Sequence, residues 1–100
     1  MTTNYQVLFY LKKPKTWIKG PVPIYLRITV AGVPKETSVG RKCEPECWSS
    51  EFHRSFGKSE NVRLLNTYLD SLERKVEESH TQMSKERKEI TAETLRDHFN

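Results

Sequence analysis

Tyr25, Arg27 and Thr29 alternate with Ile24, Leu26, Ile28 and Val30 in one run. A pleated strand would gather the first three on one face and the apolar four on the other. A phenol, a guanidinium and a threonine hydroxyl in a row suit base edges: arginine forks onto guanine, and threonine meets a thymine methyl. Lys12, Lys13, Lys15 and Lys19 lie upstream around Trp17, and Arg41 and Lys42 follow Gly40. Cations so placed would hold phosphates, which set position while base contacts set sequence. Taken alone, the alternation fits a plain solvent face of a half-buried sheet better, and the lysine loop fits solvent as well as it fits phosphate.

Other chemistries find less support. Cys43 and Cys47 with His53 offer three thiol or imidazole ligands. A structural zinc site wants four, generally with a second close pair, and the sequence lacks that pair. Cys43, beside Pro45 and Trp48, reads as apolar filler. No nucleophile–base pairing and no glycine-rich phosphate loop stands out. The expectation is a non-enzyme with no metal, no cofactor and no small-molecule substrate.

Charge is unevenly spread. Residues 1–58 hold ten Lys/Arg against four Asp/Glu, and residues 59–100 hold seven against nine, within a total of +4. The positive field therefore belongs to the first half, where it would attract polyanions. No apolar run approaches the roughly 20 residues that span a bilayer, and the start does not resemble a signal peptide. Two cysteines fit free thiols in a reducing cytosol, so a cytoplasmic location is expected, with no membrane partner.

The elements that would position these groups are legible in outline. Tyr5 to Leu11 reads as a first strand, with Val7, Phe9 and Leu11 on one face and Leu8 and Tyr10 on the other. Lys12 to Gly20 is a loop, Val22 to Val30 the second strand, Ala31 to Pro34 a turn, and Lys35 to Val39 a short third strand. Together they predict an antiparallel meander. Glu44 to Trp48 predicts one helical turn with proline in the first position, and residues 49–58 a loop. Ser59 caps a helix to about His80, whose stripe Val62, Leu65, Leu69, Leu72 and Val76, widened by Leu64 and Tyr68, would lie on the sheet. His80 and His98 read as surface residues. With 35% apolar residues the core is small: an α+β fold, one three-stranded antiparallel sheet packed on one C-terminal helix.

Residues 81–89 read as a polar linker. From Ile90 a new helix starts, capped by Thr91, with Leu95 and Phe99 having nothing left in the chain to bury them. The expected organisation is a domain over 1–80, a linker over 81–89, and the start of a following domain over 90–100.

The ordered set of an aromatic strand ending Leu11-Lys12-Lys13, then Pro23-Ile24-Tyr25-Leu26-Arg27-Ile28-Thr29-Val30, then Gly40-Arg41-Lys42, Pro45 and Trp48, and finally Glu89-Ile90-Thr91-Ala92-Glu93 resembles a known family. It is similar to the N-terminal arm-type DNA-binding domain of Bacteroidetes tyrosine recombinases, the integrases of conjugative transposons and related mobile elements. Departures fall at Cys43, Cys47 and Thr37. The resemblance implies that the free sheet face enters the major groove of double-stranded DNA at arm-type repeats, and that the last helix opens a core-binding domain. It implies DNA contacts from Tyr10, Lys12, Lys13, Lys15, Trp17, Lys19, Tyr25, Arg27, Thr29, Lys35, Arg41 and Lys42. The recombinase catalytic domain is not in this sequence. Two further readings stay open: a protein-interaction module that docks another recombinase protomer or accessory factor through the sheet edge or the acidic helical half, supported by Glu73, Glu77 and Glu78, and a double-stranded RNA binder.

Overall fold

The computed structural model describes residues 4–99; residues 1–3 and 100, the outermost ends of the expected domain spans, lie outside them. β1 (Tyr5–Leu11), β2 (Val22–Val30) and β3 (Val33–Cys43) form an antiparallel sheet in the order β1-β2-β3. β2 is central, and its alternation works as the sequence predicts: Val22, Ile24, Leu26, Ile28 and Val30 are buried, and Pro23, Tyr25, Arg27 and Thr29 are not.

The β2–β3 turn is two residues, Ala31 and Gly32, at φ 53° and 80°. Two successive positive φ values match the right-handed strand twist, which is why such hairpins favour Asn-Gly or Gly-Gly. Val33 and Pro34, expected in the turn, are therefore the first residues of β3. An alanine at the first turn position carries a left-handed backbone that costs about 1 kcal/mol. Ala31→Asn is expected to raise stability by up to about 1 kcal/mol, read from the midpoint of urea unfolding.

β3 also runs past its expected end at Val39. Its register shifts between Pro23 and Tyr25: Tyr25 faces Ser38, but Pro23 faces Lys42. One residue of β2, Ile24, thus spans three of β3, Val39 to Arg41, with Gly40 at φ 77°. The strand bulges and then resumes, and a glycine here resembles a strand stop in the sequence.

Pro45–Cys47 forms the expected single turn, with proline at its start. Residues 49–58, expected as a loop, hold all but Trp48 of a small hairpin of β4 (Trp48–Ser49) and β5 (Arg54–Ser55). Arg54 ties this hairpin down: it reaches Asp70 and Glu73 at 3.0 Å and lies over the Phe9 ring. Cys43 is buried in the core, and burial, then the neighbouring Cys47, pushes its thiol above the ordinary range.

α1 spans Glu60–Lys85, with the Ser59 hydroxyl accepting from the Val62 N–H as its cap. Leu69, Leu72, Val76 and Met83 are buried, while Leu64 is 56% exposed and does not widen the stripe. The helix continues a full turn past His80 because Met83 still has core to cover. His80 is itself buried, with its ring 4.5 Å from that of Tyr5, so its surface placement is corrected. His98 is exposed as expected.

The main departure lies at the C-terminal end. α2 (Ala92–Phe99) packs on β2, β3 and α1. Ala92 and Leu95 are buried in the same core as Phe9, Ile28 and Leu69, and Phe99 packs at its margin. The sequence reading left Leu95 without cover because it assigned the whole sheet face to one helix; a 26-residue α1 leaves part of that face to a second. Thr91 caps α2 as expected, its hydroxyl accepting from the Thr94 N–H at 3.0 Å. Among the described residues no helix is long and apolar enough to cross a membrane.

Candidate nucleic-acid interface

Both helices lie on one side of the sheet, where the apolar positions of β2 form the core. The other side carries three cross-strand rows. Gln6, Thr29 and Pro34 form one, Leu8, Arg27 and Glu36 the next, and Tyr10, Tyr25 and Ser38 the third. Lys12 and Lys42 flank Pro23 at the end of the sheet: the Lys12 N–H donates to the Pro23 carbonyl, and Lys42 is its register partner.

The rings and cations on this face are packed together. The Tyr10 and Tyr25 rings are 6.2 Å apart at 43°. The Arg27 guanidinium lies 4.6 Å from the centre of the Tyr10 ring, and the Lys12 ammonium 4.8 Å from that of Tyr25. Each such contact holds a charged group over a ring face and limits its wandering. The Tyr10 hydroxyl and the Lys12 ammonium both donate to the Glu36 carboxylate.

The β1–β2 loop leaves from the same end of the sheet. Its Trp17 indole N–H donates to the Gly20 carbonyl at 3.1 Å, and the Trp17 backbone N–H to that of Pro14 at 3.0 Å. The Lys13 ammonium sits 4.4 Å from the Trp17 ring centre. Trp17, Lys19 and Gly20 share a shallow concavity with Glu44 and Glu46. Lys13, Lys15, Lys19 and Lys42 are all exposed. The tryptophan shapes the loop, Lys13 lies over its ring, and Lys15 and Lys19 stand out into solvent.

Not every expected residue joins this face. Lys35 is the register partner of Ile28, so its parity is that of the helix-covered side. Arg41, displaced by the bulge, stacks at 4.6 Å on the ring of Tyr68 of α1. That ring is fixed by its hydroxyl, which donates to the Val39 carbonyl at 3.0 Å. Arg41 therefore marks the β3–α1 edge, near Lys42, rather than the centre of the face. Sequence reasoning missed Glu36. The signal was present, because the β2–β3 register of a two-residue hairpin sets Glu36 across from Arg27.

Three strands about 4.8 Å apart are about 10 Å across, within a major groove roughly 12 Å wide. A small α+β body with one uncovered sheet face, rings and cations upon it and lysines at its end is the form of a β-sheet reader of DNA. The chain belongs to the Arm DNA-binding domain family, whose profile matches residues 9–96. It is a DNA-binding domain, and the match runs through α1 and into α2. No curated protein and no solved structure matches the chain.

Among the described residues, no three His, Cys, Asp or Glu side chains gather as metal ligands.

Proposed function

We propose that this domain reads the sequence of arm-type sites in duplex DNA, as a module of a tyrosine recombinase that integrates and excises a mobile element. The observation that carries the reading is the stacked Arg27–Tyr10–Tyr25 cluster on the uncovered sheet face, beside the lysine loop. Arg27, supported by Tyr10, presents its fork to guanine in the major groove, and Thr29 presents its methyl to thymine. Lys13, Lys15, Lys19 and Lys42 hold the phosphates on the flank, with Arg41 reaching the backbone from the β3–α1 edge. Lys35 has no base-reading part in this arrangement.

Amide-shift NMR with a random duplex and a duplex of repeats from the ends of the parent element tests the reading. Shifts along β1, β2 and β3, larger for the repeats, are the expected result. Shifts confined to the Glu77–Glu78 side of α1 on adding a recombinase protomer, with none on adding DNA, would replace DNA reading by protein docking. Arg27→Ala is expected to lower affinity for the preferred site by roughly 1–3 kcal/mol and relax preference at one base pair. Binding to random duplex should change much less. Equal losses on both, by fluorescence anisotropy, would remove Arg27 from base reading.

A further inference from the structure

We infer that Glu36 is a specificity-determining residue of the DNA face, accepting a hydrogen bond from the cytosine amino group of a G·C pair whose guanine meets Arg27. The inference rests on the DNA-reading function proposed above.

A carboxylate on a surface that meets a polyanion costs affinity, because it repels every phosphate brought near it. Simple neutralisation of Lys12 would not need that position. Glu36 lies directly across the β2–β3 register from Arg27. Residues so opposed have β-carbons about 4.5–5.5 Å apart and point to the same side. The row therefore offers a forked donor and an anionic acceptor side by side. In the major groove a G·C pair presents the complementary pattern, two acceptors on guanine beside the amino donor of cytosine.

The acceptor is also held in place. Tyr10 donates to one of its oxygens and Lys12 to the other. A carboxylate has roughly four lone-pair sites, so two bonds leave capacity for a base amino group. The Glu36 side chain remains 34% exposed on the open face. Tyr10 thus supports both readers, its ring under Arg27 and its hydroxyl on Glu36. At an A·T pair, with thymine in place of cytosine, the carboxylate would face the thymine O4 carbonyl, acceptor against acceptor. Glu36 would act as much by rejecting that pair as by accepting the correct one.

The test is selection from a randomised duplex pool by the full chain and by its Glu36→Met and Glu36→Gln variants, followed by sequencing and anisotropy. The wild-type chain should select a motif with a G·C position preferred about tenfold or more. Glu36→Met should flatten preference at that position alone. It should also tighten binding to random duplex and steepen its salt dependence, by about 0.9 in the log–log slope, as Lys12 is released to a phosphate. Glu36→Gln, which keeps the shape and an acceptor oxygen, should tighten random binding while retaining part of the preference. A motif unchanged in both variants would overturn the role of Glu36 and leave DNA reading intact. Failure of the wild-type chain to enrich any motif would overturn the reading on which it rests.

Discussion

Replacing Lys13, Lys15 and Lys19 together by glutamine is expected to remove most DNA affinity at physiological salt while leaving sequence preference unchanged. These lysines stand exposed on a loop fixed from within by Trp17, so their loss should not disturb the fold. On the proposed reading they would supply, with Lys42 and Arg41, about five phosphate contacts, for which the log–log salt slope is about −4.5. Raising salt from about 50 to 200 mM should then weaken the wild-type complex by roughly 500-fold. The triple variant should show a slope near −2 and a correspondingly flatter loss. Titrations by anisotropy at four salt concentrations measure both. A slope unchanged by the substitutions would place the phosphates elsewhere. Lys12 is left out because Glu36 already holds it.

The second large effect concerns stability. Leu95→Ala is expected to destabilise the domain by about 2–5 kcal/mol, the range for a fully buried leucine cut back to alanine. Leu95 is 0% exposed and shares its core with strands and with α1. A domain of this size commonly has about 5–15 kcal/mol in total, so the variant should lose a large share of it. Urea unfolding followed by tryptophan fluorescence reports the change, since Trp48 packs against the core. A loss below about 0.5 kcal/mol would mean that α2 separates from the sheet in solution, as expected of a surface position.

The sequence was legible where a single local rule governs. The strict alternation of Ile24 to Val30 sets the face of β2. Ser59 sets the start of α1, and Thr91 that of α2. It was less legible where a residue's fate depends on a partner distant in sequence. Leu95 looked stranded because nothing local reveals how much sheet α1 leaves uncovered. His80 looked exposed because its cover, Tyr5, comes from the first strand. The β4–β5 hairpin is held by Arg54 reaching α1, which no period in residues 49–58 announces. On the candidate face, Tyr10, Tyr25, Arg27 and Thr29 followed from alternation alone. Glu36 needed the β2–β3 pairing register, and the displacement of Arg41 needed the bulge that interrupts that register beyond Ser38.

The bulge also bears on how this chain tolerates change over evolutionary time. Beyond it, Lys42 and Cys43 point to opposite sides, an ammonium outward and a thiol into the core. The side on which each falls depends on the number of residues between Ser38 and Lys42, with Gly40 supplying the positive φ of the bulge. Losing or gaining one residue there would exchange the two, burying a charge and stranding a thiol in solvent. A substitution at Arg41 changes one contact, its stacking on Tyr68, whereas an insertion or deletion between Ser38 and Lys42 turns over the rest of the strand. Homologous chains should therefore keep a fixed spacing across this stretch, a constraint written in length as well as in the glycine at position 40.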